Sequence, residues 1–229
     1  MVLGLVLLLG AGCASAGSSE TLRYKVTVTV TTPEGEKSGS AVREASTYSE
    51  KSILPDQGGT SFNITKGEAV VIDLGKQGKV FALMGGQEEA RNVFEMLKGT
   101  GMNDPVAMTL EQLRRYPQFV YFSDLNNPKT IQRVDERKIV GGKVYGHNNG
   151  HELLGGGAVT AINLDQKLFG KGASFKEVTL ALTDEPVTSG IEKWLPWLNQ
   201  VYGYISGNFA CDDKLYNCID SGDLKKGEE

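Results

Sequence analysis

Residues 22–31 alternate strictly, with Leu22, Tyr24, Val26, Val28 and Val30 apolar and Arg23, Lys25, Thr27, Thr29 and Thr31 polar. A period of two sends successive side chains to opposite faces, so this segment predicts a half-buried strand of an antiparallel sheet. The turn sequence PEGE at residues 33–36 predicts a hairpin in which residues 37–48 return as a less regular partner. Residues 68–74 (EAVVIDL) and 79–84 (KVFALM), joined by GKQG, predict a second hairpin. Its first strand is continuously apolar over residues 69–72, which calls for cover on both faces, one of them from the element that follows.

That element is a helix predicted over residues 87–98, where Ala90, Val93, Phe94 and Leu97 form one stripe and Gly99 closes the end. Residues 109–112 and 189–192 read as capping boxes opening short helices that Pro117 and Pro196 end. Further strands are predicted at residues 118–122, 130–134 and 175–183. Residues 141–157 hold more turn formers than periodic positions and predict a long exposed loop or a short excursion hairpin. The charged tail at residues 223–229 is expected to fray. Hairpins interleaved with isolated helices give an α+β class, mainly antiparallel β hairpins with two to four short helices.

The first residues change the picture from fold to compartment. An uncharged apolar run from Val2 to Leu9 gives way to small residues well short of the roughly 20 needed to span a bilayer, which predicts an export leader. Two processing routes compete. LLLGAGC resembles a lipobox, with Cys13 diacylated as the mature N-terminus, although Gly10 stands where that pattern prefers Leu. The rival is the A-x-A site Ala14-Ser15-Ala16, which would release a soluble chain. Lipidation is the favoured reading, giving a leader and start of tether over residues 1–16, a flexible tether to residue 21, and a single α+β domain over residues 17–229. The expected location is the cell envelope, on the periplasmic face of the outer membrane if lipidated and otherwise periplasmic or secreted.

With Cys13 acylated or removed, Cys211 and Cys218 remain as a pair that an oxidising compartment would close into a disulfide. The 24 basic and 28 acidic residues leave a net charge of −4, which excludes the electrostatic footprint of a nucleic-acid binder.

Three segments in order, residues 68–74 with 80–83, residues 122–135 (FSDLNNPKTIQRVD) and residues 182–198 (LTDEPVTSGIEKWLPWL), resemble a group of uncharacterised bacterial exported proteins, putative lipoproteins among them. The resemblance covers about residues 22–198 and implies an envelope protein, with no catalytic residues carried over. The His- and Gly-rich stretch departs from that pattern.

Candidate chemistry is sparse. His147 and His151 stand four apart, the spacing that on a helix offers two imidazoles to a metal, with Glu152 as the one local carboxylate, but the Asn-Asn-Gly between them disfavours a helix. Asp124, Asn126, Asn127 and Asp135 carry oxygen ligands without the EF-hand pattern, and Asp184 with Glu185 is a carboxylate pair whose members alternate faces in a strand. Residues 170–174 (GKGAS) fail the phosphate-loop spacing. Trp194, Trp197, Tyr202 and Tyr204 make the densest aromatic patch, suited to stacking on carbohydrate or to packing in a core. No cofactor is implied. The reading is a non-catalytic binding or structural module of the envelope, with the membrane as partner through the lipid anchor and an envelope protein or peptidoglycan as a further one. The alternative is a periplasmic metal-dependent hydrolase using His147 and His151.

Overall fold

The computed structural model describes residues 18–50, 59–114, 116–141, 143–148, 151–155, 157–205 and 219–227, with backbone alone for the two segments between 143 and 155. Cys13, Cys211 and Cys218 lie outside the described residues.

The first hairpin is β1 (Ser18–Thr32) and β2 (Gly35–Glu50), paired from Ser18 opposite Ser49 to Thr32 opposite Gly35. Tyr24, Val26, Val28 and Val30 face the core as the alternation requires. β1 already begins at Ser18, so residues 18–21, expected in the tether, belong to the sheet instead. Fifteen rungs of pairing with β2 carry the strand back four residues before its first apolar residue, Leu22. β3 (Gly59–Glu68) adds to β2, while β13 (Ser174–Leu182) pairs with β1 on its other side.

β4 (Val70–Asp73), β5 (Lys79–Ala82), β7 (Phe119–Phe122) and β8 (Ile131–Arg133) form a separate four-stranded antiparallel sheet. β6 (Val106–Ala107) pairs with β13. The small sheet is buried on both sides, as its continuous apolar runs predict. Val70, Ile72, Val80, Ala82 and Phe119 join the core shared with the large sheet, and Ala69, Phe81, Leu83, Val120 and Phe122 join a second cluster. The cover on that second side is not the helix that follows but a C-terminal segment, through Ile191, Leu195, Trp197, Leu198, Ile205 and Leu224. Close approach of the sheets depends on Gly39, where a Cβ would lie 2.2 Å from the Val71 carbonyl oxygen.

Helix α1 (Gly86–Leu97) buries Ala90, Val93 and Leu97, and its Phe94 ring stands 6.0 Å from that of Phe62 on β3. At residues 109–112 the reciprocal bonds of the box are made, Thr109 N–H to Gln112 Oε1 at 2.8 Å and Gln112 N–H to Thr109 Oγ1 at 3.3 Å, but they close a turn rather than open an α-helix. The other short helices are α2 (Gln166–Phe169) and α3 (Ser221–Leu224).

β9 (Asp135–Val140), β10 (Lys143–Asn148), β11 (His151–Gly155) and β12 (Ala158–Leu164) form one two-stranded ribbon. The register runs through it: Asp135 faces Leu164, Val140 faces Ala158, Lys143 faces Gly155 and Asn148 faces His151. The glycine-rich stretch is therefore the outer half of a hairpin whose root joins the large sheet at Asn163 opposite Ser174. β14 (Lys225–Lys226) pairs with Glu68 and Gly67 of β3, and Leu224 is fully buried, so residues 223–226 do not fray as expected.

Candidate functional site

The C-terminal cover is built by residues 190–205 and 219–227. Residues 189–192 do not form the expected capping box. Glu68 supplies the cap from across the fold, its Oε1 accepting the Gly190 N–H at 2.7 Å and the Ile191 N–H at 3.1 Å, and its Oε2 the Ile191 N–H at 3.0 Å. Burial raises the Glu68 carboxyl above its ordinary pKa, opposed by these two N–H donors. Two 3₁₀ turns follow, Ile191–Lys193 and Leu198–Gln200. The chain then runs out through Tyr202 to a bridge between Tyr204 and Asp220. Its return is fastened to the small sheet, with the Ala69 N–H donating to the Leu224 carbonyl at 2.8 Å and the Met84 N–H to the Asp223 carbonyl at 3.0 Å.

Between the outgoing and returning chains lies an open groove of about 320 Å³, lined by Asn199, Tyr202, Ser221, Lys225 and Lys226 with Leu198 beneath. Tyr202 is 90 % exposed at its rim and Tyr204 is 65 % exposed nearby in the chain. Lys225 is ion-paired with Glu192. Burial pushes against the Glu192 charge, but the Lys225 ammonium and the Asn199 amide overcome it and hold that carboxyl below its usual range. Asp223 is pushed up to about 6 by burial, aided by the Asp220 charge and opposed by the Asp220 N–H and Lys226.

The four aromatic candidates separate. The Trp197 indole N–H donates to the Leu125 carbonyl at 2.9 Å and its ring packs 5.6 Å from Phe122, so it belongs to the core. Trp194 is half-buried, with the Lys79 ammonium 4.2 Å and the Lys193 ammonium 5.4 Å from its ring centre. Tyr202 and Tyr204 are the two that are mostly exposed.

Other sequence candidates sit apart from the groove. His147 is opposite Glu152 and His151 opposite Asn148, so the two histidines occupy successive rungs of a ribbon rather than one helical face. Asp124 closes an Asx turn, its Oδ1 accepting the Asn126 N–H at 2.9 Å. Glu185 pairs with Lys25 at 2.8 Å, while Asp184 is exposed. Gly170 ends α2 at φ +89°. The Asp135 side chain is fully buried between Arg133 and Arg137, and its Oδ1 accepts the Phe119 N–H at 2.9 Å. Among the described residues no group of three His, Cys, Asp or Glu side chains is arranged to hold a metal.

The charged pair buried in the main core was missed in the sequence. Glu89 accepts from Arg43 at 2.5 Å and from the Tyr24 hydroxyl at 2.6 Å through Oε1, and from the Gly85 N–H at 2.7 Å through Oε2. A signal existed: Glu89 lies on the 89, 93, 97 spacing of the buried helix stripe, and Arg43 alternates with the small core residues Ala41 and Ala45.

The chain matches no protein-family model, no curated protein and no solved structure.

Proposed function

We propose that this protein is an exported component of the bacterial cell envelope, anchored through a lipidated Cys13, that works as a non-catalytic binding module through its C-terminal groove. The export and anchor parts of the reading rest on the leader sequence and on the resemblance of residues 68–74 with 80–83, 122–135 and 182–198 to exported proteins. The observation that carries the binding part is Tyr202, a large ring 90 % exposed on the rim of a 320 Å³ groove. Such a ring contributes little to folding, and the groove lies at the lower end of the volume range of small-molecule sites.

The most deeply buried charged groups support a framework role. Arg43, Glu89 and Asp135 are each engaged by partners from other elements, and none lines the groove.

The test is co-sedimentation of the Cys13→Ser protein, which lacks the anchor, with isolated envelope fragments of the host. Pelleting that falls at least fivefold in the Cys13→Ser, Tyr202→Ala double variant supports the reading. Equal pelleting of the two proteins, or none of either, overturns it.

A further inference from the structure

We infer that the C-terminal groove takes a saccharide bearing a carboxylate, with the Tyr202 ring as the stacking platform and the Lys226 ammonium as the partner of the anion. The inference rests on the reading of this groove as the binding face.

Charge comes first. The groove is bordered by two lysines, Lys225 and Lys226, in a chain of net charge −4. Lys225 is committed to Glu192, whereas Lys226 forms no ion pair among the described residues and feels the Asp223 carboxyl only through space. One cation is therefore available to a ligand, which suits a single carboxylate better than a polyanion.

Shape and donors narrow the class. Tyr202 offers a flat ring with a negative face, against which the slightly positive C–H bonds of a sugar ring stack. The Ser221 hydroxyl and the Asn199 amide, which spends one N–H on Glu192 and keeps its other polar atoms, stand on the walls, where sugar hydroxyls find partners. An extended peptide is less well served. β14, the sheet edge beside the groove, has two residues and provides a rung or two of ladder, too few to hold a strand by its backbone.

The test uses two sugars that differ by a lactyl carboxylate, N-acetylmuramic acid and N-acetylglucosamine, titrated into the isotope-labelled Cys13→Ser chain and followed by amide chemical shifts. The inference expects N-acetylmuramic acid to bind at least fivefold more tightly, with shifts at residues 199, 202, 221 and 226. Tyr202→Ala weakens both sugars at least tenfold, and Lys226→Gln removes the preference while leaving N-acetylglucosamine unchanged. Equal binding of the two sugars by the unsubstituted groove, insensitivity to Tyr202→Ala, or no binding overturns the inference. If no sugar binds while envelope pelleting still depends on Tyr202, the saccharide is wrong and the binding face stands. If pelleting is also independent of Tyr202, both fall.

Discussion

Arg43 and Glu89 meet at 2.5 Å with both side chains 2 % exposed, joining β2 to α1 through the middle of the main core. Desolvation opposes the charge on Arg43, and the adjacent Glu89 carboxylate more than restores it, so the guanidinium stays ionised. Its Nε–H also donates to the Glu68 carbonyl at 2.9 Å. A buried pair of this kind is costly to break and not especially stabilising to have, because removing one partner strands the other without water. Glu89→Leu and Arg43→Met are each expected to lose about 3–5 kcal/mol, and the double variant to lose clearly less than their sum. Denaturant unfolding of the four proteins measures this, and additive losses would contradict it.

Glu68 fastens the C-terminal cover at its start. Glu68→Ala leaves two N–H groups without their acceptor and is expected to cost about 1–3 kcal/mol. Glu68→Gln keeps an acceptor oxygen and costs less. Hydrogen exchange at Gly190 and Ile191 should accelerate in the Ala variant before global unfolding, while exchange in β1 and β13 stays unchanged.

Asp223 links the groove to pH. Its folded pKa of about 6 lies above the ordinary carboxyl value of 3.8, so the folded state binds the proton more tightly than the unfolded one. The resulting stability is fully present below about pH 4 and is lost as pH rises through 6. Stability contributed by this group should therefore fall by on the order of 1–3 kcal/mol between pH 4 and pH 7. Asp223→Asn, compared with the unsubstituted chain by urea denaturation across that range, should remove this component of the pH dependence.

The anchor proposed at Cys13 predicts the mass of the mature protein from native membranes. A diacylated cysteine at the N-terminus, lost together with membrane retention in Cys13→Ser, is the expected result. A mature chain starting at Gly17 would remove the anchor.

The parts of the fold that obey a single period were legible. β1, the β4–β5 hairpin, α1 and β13 follow from alternation or a helical stripe, and even the two-sided burial of β4 follows from its unbroken apolar run. The outer half of the β9–β12 ribbon carries turn-rich sequence and read as a long exposed loop or a short excursion hairpin, the second of which it forms; β9 and β12 themselves were not predicted, although Val159, Ile162 and Leu164 of β12 pack into the main core. The capping box at residues 189–192 failed for a different reason. Local sequence cannot show that Glu68, more than a hundred residues away in the chain, takes the acceptor's place. The groove was half legible: exposed Tyr202 and Tyr204 were singled out with two tryptophans that proved to be packed. Lys226 and Ser221 carry no local signature of a site, since only the pairing of β14 with β3 brings them there.

Amide hydrogen exchange of the Cys13→Ser protein, with and without isolated envelope fragments, tests the central claim most directly because it finds the binding face without presupposing a residue. The account predicts new protection confined to residues 198–205 and 219–227, with the framework around Arg43 and Glu89 unchanged. Protection centred on the ribbon at residues 143–155, or none at residues 198–205, would contradict it.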